Sequence, residues 1–322
     1  MSSRISPVAV ETLVEIFDER LRPVVQGAQL HRLCTGAMWS EGPVWVQEDN
    51  AVLWSDIPNN RMLRWREVDG MTVWREGVEF SNGHTRDLNG DLLHCSHGLR
   101  AIVRTPMRGG YLRADTIDAV VVDRYLGKRL NSPNDIVAKR DGTIWFTDPP
   151  YGILGNQEGH QAASELDGNY VFAYDPITKQ LGIASDFLEE PNGLAFSPDE
   201  NVLYVSDTSA AMRTDGSGNH HIIAFDVQAN VLIHPRVFAV VNPGLADGFR
   251  LDAQGWVYTS SADSVQVYHP DGSLLGKIHV PEKVGNLTFG GDGKNAARNQ
   301  LFIAASTSLY RIVLHTQGIQ IP

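Results

Sequence analysis

The chain has 322 residues, 42% of them apolar, with 30 glycines and 16 prolines, which suits one large turn-rich propeller or barrel. Its net charge of −11 argues against a nucleic-acid partner, whose phosphates need a basic face, and is compatible with cation binding. No apolar run reaches the roughly 18 residues of a membrane span, the start MSSRISPVAV lacks the apolar stretch of a signal peptide, and Cys34 and Cys95 form no CxxC pair. The expectation is a soluble, cytoplasmic protein with two reduced core thiols.

The first predicted element is a helix over 6–22. Ser6 is its candidate N-cap, Pro7 takes the first helical position, and Val10, Leu13, Val14, Phe17 and Leu21 form an apolar stripe before Pro23 stops it. Residues 1–35 are therefore read as an N-terminal helical extension packed on the main body. A homodimer contact is a second, lesser use for it.

From residue 36 onward short strands replace the helical pattern, and 36–322 is read as a six-bladed β-propeller domain. Six units each open on an oxygen-bearing side chain followed by a hydrophobic strand: Glu41, Asn82, Asn134, Asn192, Asp247 and Asn286, at gaps of 41, 52, 58, 55 and 39 residues. A turn such as DLNGD, KRDGT or SPDEN follows, and then a second strand: AVLWSD, DLLHCS, TIWFTD, VLYVSD, WVYTSS or LFIAAS. Repeats of this length with about four strands each are the signature of a propeller. No helices alternate with the strands, which excludes a TIM barrel or Rossmann sheet.

In a propeller the first strand of each blade lines the central channel, so the six opening residues converge on the axis. Taken singly, an Asn or Asp beside Gly is a turn residue. Taken together, two carboxylates and four amides suit a hard cation such as calcium, which takes oxygen ligands; zinc would favour His or Cys. Gly-rich stretches at 152–168 and 209–220 are either roofs over the channel mouth or ordinary surface loops.

Other motifs are weaker. GSLLGK at 272–277 reads as a hairpin rather than a P-loop. No GxSxG elbow, HExxH motif or repeated WD dipeptide is present. In HCSHG, His94 and His97 point apart on a regular strand, which disfavours a metal site there. His97, just past the strand end, either reaches the channel or caps a turn. TDPPYG is either a rigid turn or a place where Tyr151 or Asp148 lines the pocket.

The ordered set SEGPVW, SDIPNNRMLRW, NSPND, GTIWFTDPPYG, PNGLAFSPDE, GLADGFRLD and NLTFGG closely resembles the gluconolactonase branch of the SMP-30/gluconolactonase/luciferin-regenerating-enzyme (LRE)-like family, over about residues 36–314. The resemblance implies a six-bladed propeller with one axial divalent cation, foremost Ca2+, with Zn2+, Mg2+ or Mn2+ as alternatives. It implies hydrolysis of a sugar lactone such as glucono-1,5-lactone. Carried over by position, it makes Glu41, Asn192 and Asp247 metal ligands, with Asn134 at or beside the metal and touching substrate. Asp247 is the matching candidate base, although a carboxylate on a dication has a lowered pKa and the metal itself is the alternative activator of water. Asn82, Tyr151 and His97 are read as substrate contacts, with Asn286 held back as a contact or a plain strand-start residue. Two further readings stay open: a lactonase or esterase for another ring, and a non-enzymatic propeller with a structural cation.

Overall fold

The computed structural model describes residues 7–291 and 298–319. Six antiparallel sheets form the blades of a propeller, each with four or five strands. Their innermost strands, or the segments that open them, are Ser40–Val46, Ser81–Arg86, Ile136–Ala138, Pro191–Phe196, Phe249–Leu251 and Val284–Gly290, which define blades 1 to 6. Each inner strand touches the next around the axis, and the sixth touches the first. The motif GSLLGK falls on a hairpin, as expected: Ser264–Tyr268 turns into Leu274–His279.

The second strand of each blade is packed on both faces by its neighbours. That is why Ala51–Asp56, Ile144–Asp148 and Leu92–Ser96 are buried along their whole length and read as apolar runs rather than alternating ones. Trp54, Trp145, Phe146, Phe172, Phe225, Tyr258, Phe289 and Tyr310 fill the gaps between blades.

The N-terminal segment corrects the sequence reading. The helix expected over 6–22 is absent from its described part. Val8–Ala9 and Val14–Ile16 are strands, Glu19–Leu21 is a 3-10 turn, and the one α-helix among the described residues is the single turn Arg22–Val25. Ser6, the proposed cap, lies outside the described residues. Val14–Ile16 pairs with Leu274–His279 as a fifth strand on blade 5. Leu30–Thr35 pairs with Ser308–Val313 and supplies the fourth strand of blade 6. The helical spacing of Val10, Val14 and Leu21 was real but coincident. Val10, Val14 and Ile16 pack on the core of blades 5 and 6, while Leu13 and Phe17 stay exposed. An open sheet edge offered ladder hydrogen bonds to a β-branched segment, and that outweighed a marginal isolated helix. Residues 30–35 are thus a blade strand, joining the two ends of the chain to close the ring.

Candidate active site

The six strand-start residues meet at one end of the axis. Glu41, Asn82, Asn134, Asn192 and Asp247 line a cavity of about 310 Å3, together with Trp39, His97, Tyr151, Glu158, Thr208 and Lys283. Asn286 is buried beside them. Its Oδ1 accepts from the Leu287 N–H at 2.8 Å, and its amide favours the charged form of Glu41. It therefore supports a neighbour and does not line the cavity.

Two repeated devices bring these residues together. Glycine follows Glu41, Asn82, Asn192 and Asp247, and the next blade comes too close for a side chain there, through its backbone at Gly42, Gly83 and Gly193 and through the Asn286 side chain at Gly248. A Cβ on Gly42 would lie 2.2 Å from the carbonyl oxygen of Asn82, and one on Gly193 would lie 2.3 Å from that of Asp247. The second device is the hydroxyl–aspartate pair that ends the second strand in SD, TD and SD. The hydroxyl reaches the ring residue of the next blade: Ser55 donates to the carbonyl of Asn82 (2.9 Å) and Thr147 to that of Asn192 (2.7 Å). The aspartate accepts backbone N–H groups from the loop entering its own inner strand. Asp56 takes Met38, Asp148 takes Asn131 and Asp207 takes Glu189. Asp148 is thus a buried cap that does not line the pocket, whereas Tyr151 of the same TDPPYG motif does. The sequence reading missed this device, although its signal, a hydroxyl residue before Asp at three equivalent strand ends, is present in the chain.

Hydrogen bonds orient the lining groups. The Asn192 amide nitrogen donates to Thr208 Oγ1 (3.1 Å), which is also hydrogen-bonded to the Tyr151 hydroxyl (2.6 Å). Asn82 Nδ2 donates to His97 Nε2 (3.1 Å), and His97 Nδ1 donates to the Glu158 carbonyl (2.8 Å). Burial lowers the pKa of His97 to about 4, so the ring is neutral and the tautomer follows from these partners. Both Gly-rich loops contribute to the pocket, one through Glu158 and the other through Ala211.

Glu41 is buried and Asp247 half-buried, and desolvation pushes both carboxyls above the usual range, with Asp247 adding repulsion at Glu41. Lys283 and Asn192 pull Asp247 partly back. Glu41 Oε2 accepts from the Gly42 N–H (2.9 Å), while Oε1 makes no well-formed hydrogen bond among the described residues and is eased only by the nearby Asn286 amide. An unpartnered buried carboxylate oxygen is costly without a cation. Among the described residues no group of three or more His, Cys, Asp or Glu side chains is set to hold a metal, in HCSHG or elsewhere. The donors here are instead two carboxylates and the amides of Asn134 and Asn192. Such a set suits a hard divalent cation and neutralises its charge.

A ring of six antiparallel blades around an oxygen-lined axial pocket defines a propeller built to bind a small polar molecule at one mouth. The chain belongs to the SMP-30/Gluconolactonase/LRE-like family, whose model matches residues 39–307. A gluconolactonase from Xanthomonas campestris is 39% identical and superposes with a TM-score of 0.84, covering 96% of this chain and 97% of that one. A gluconolactonase from Zymomonas mobilis is 32% identical over 94% of this chain and 86% of its own length. A 6-deoxy-6-sulfogluconolactonase from Pseudomonas putida is 27% identical over 78% of this chain and 79% of its own. Among the described residues no helix is long and apolar enough to cross a membrane.

Proposed function

We propose that the protein hydrolyses a sugar lactone, with glucono-1,5-lactone as the leading substrate, and that a divalent cation, foremost calcium, assists. The observation that carries this reading is the pair of carboxylates Glu41, buried, and Asp247, half-buried, set among amides in the axial pocket. The gluconolactonases of similar sequence support the substrate class.

Glu41, Asn192 and Asp247 would hold the cation, with Asn134 beside it. When bound, such an ion polarises a carbonyl and stabilises negative charge on its oxygen. Asn134 and Asn82 orient the lactone, and Tyr151 and His97 shape the wall against which its ring lies. Water attacks the carbonyl carbon, and Asp247 takes the water's proton. The ring C–O bond then breaks and the proton passes to the leaving oxygen, which gives an open-chain hydroxy acid. No nucleic-acid or membrane partner is part of this reading, and a cytoplasmic location is.

The test is lactone hydrolysis by purified protein, with spontaneous opening subtracted. Chelation, Asp247→Ala and Asn192→Ala should each cut kcat/KM by about 100-fold or more, in the range expected when a ligand or base is removed. Unchanged rates in all three would exclude the site. Rates on other lactone rings that exceed those on gluconolactone would replace the substrate while keeping the chemistry.

A further inference from the structure

Blade 2 carries a buried histidine that the pocket does not use. His84 lies two residues beyond Asn82 on the same inner strand, and its Nδ1 sits 2.6 Å from the carbonyl oxygen of Gly42. A carbonyl only accepts, so Nδ1 bears the proton. Burial lowers the ring's pKa to about 3, which keeps it neutral and leaves Nε2 bare. The Ser81 hydroxyl, 3.2 Å away, donates to that nitrogen, and its oxygen also lies 3.2 Å from His94 Nδ1. His94 Nε2 faces the Asp118 carboxylate at 3.6 Å, and Asp118 is tied to Arg75 and Thr105. The Gly42 carbonyl and the Ser81 hydroxyl between them fix the His84 tautomer, with Nδ1 protonated and Nε2 bare.

Gly42 links this chain to the pocket. Its N–H holds Glu41 Oε2 at 2.9 Å, and its carbonyl is the one that His84 clamps. Its φ of +54° is left-handed, and the carbonyl of Asn82 closes off the side where a Cβ would stand. The two peptide planes that meet at Gly42 are thus fixed, one by Glu41 and the other by His84. We infer that His84 is a positioning residue for Glu41, acting across the blade 1–blade 2 boundary through Gly42, with Ser81 meeting its other ring nitrogen. Outer partners of this kind set the orientation of inner ligands, and their loss typically costs about 10- to 100-fold in metal affinity or activity. The inference rests on the reading of Glu41 as a cation ligand.

Two amide substitutions separate positioning from packing. In His84→Asn the side-chain N–H stands where Nδ1 stood and keeps the bond to Gly42. In His84→Gln the amide reaches toward Ser81 and leaves Gly42 free. Calorimetric titration of the metal-free protein with calcium should show affinity reduced by about tenfold or more in His84→Gln and within threefold of wild type in His84→Asn. Equal losses in both, or no loss in either, would overturn the inference. Crystal structures of the two metal-free variants ask the same question without a cation. Glu41 should leave the Gly42 N–H in His84→Gln and keep it in His84→Asn, and a Glu41 held alike in both overturns the inference. A wild-type protein that neither binds a divalent cation nor responds to chelation would refute the cation reading instead, and the crystal structures would still decide the role of His84.

Discussion

His97 accepts a hydrogen bond from the side-chain amide of Asn82, with Nε2 and Nδ2 3.1 Å apart, while its Nδ1 donates to the carbonyl of Glu158. One neutral ring thereby ties an inner strand to the loop that roofs the pocket. Because the Asn82 nitrogen is spent on His97, its oxygen is the atom left for the pocket.

Exchange of His97 for Gln should preserve that arrangement in part, since a Gln oxygen can accept from Asn82. His97→Phe removes the acceptor and leaves the Asn82 amide unpaired, at a cost of about 1–3 kcal/mol. We expect kcat/KM to fall by roughly tenfold or more in His97→Phe, which amounts to about 1.4 kcal/mol of transition-state binding, and to fall less in His97→Gln. Equal activity in the two variants would show that the acceptor has no role.

Glu41→Gln should raise the stability of the metal-free protein while removing its activity. The substitution keeps an oxygen for the Gly42 N–H and removes a buried charge that Asp247 repels. Urea unfolding under chelation should give a gain on the order of 1 kcal/mol. A loss of stability would mean that the charge is already compensated within the protein.

Asp148 gives a pH-dependent stability of defined sign. Burial raises its pKa from 3.8 to about 7, against the backbone donors of Asn131 and Ser132. The folded state therefore binds the proton more tightly than the unfolded chain. The contribution is fully present below pH 3.8 and is lost as pH rises through about 7, a span worth on the order of 4 kcal/mol. Denaturant titrations at pH 5 and pH 8 should show wild type losing more stability on going to the higher pH than Asp148→Asn. Equal slopes would contradict the assignment.

Lys283 extends its ammonium over the Trp39 ring, 4.8 Å from the centroid, at the rim of the same pocket. It makes no ion pair among the described residues, yet its charge lowers the pKa of both Asp247 and Glu158. In Lys283→Met both carboxyls hold their protons to higher pH. The acid limb of the kcat/KM profile should move upward, with thermal stability nearly unchanged because the side chain is exposed. A limb that stays in place would separate Lys283 from the chemistry.

The architecture was legible because it repeats. Glu41, Asn82, Asn134, Asn192, Asp247 and Asn286 recur at blade-length intervals, and once the strands form a ring, spacing alone brings them to one axis. The apolar second strands were legible for a related reason, since burial on both faces leaves no polar position to interrupt them. The helix expected over 6–22 was a misreading because its helical spacing is local, whereas the pairing partners of its described part, Leu274–His279 and the core of blades 5 and 6, lie some 250 residues further along the chain. Asn286 could not be told from its five counterparts by position. Only its bond to its own Leu287 N–H turns it from the cavity to the support of Glu41. Trp39, Thr208, Glu158 and Lys283 carry no repeat signal and reach the pocket through loops and strand ends. Sequence by itself determined the ring and the oxygens at its centre, because both follow from periodicity. The tertiary structure decided which oxygens are free, which are spent on neighbours and which cation stands at the rim, because each depends on a contact between blades distant in sequence.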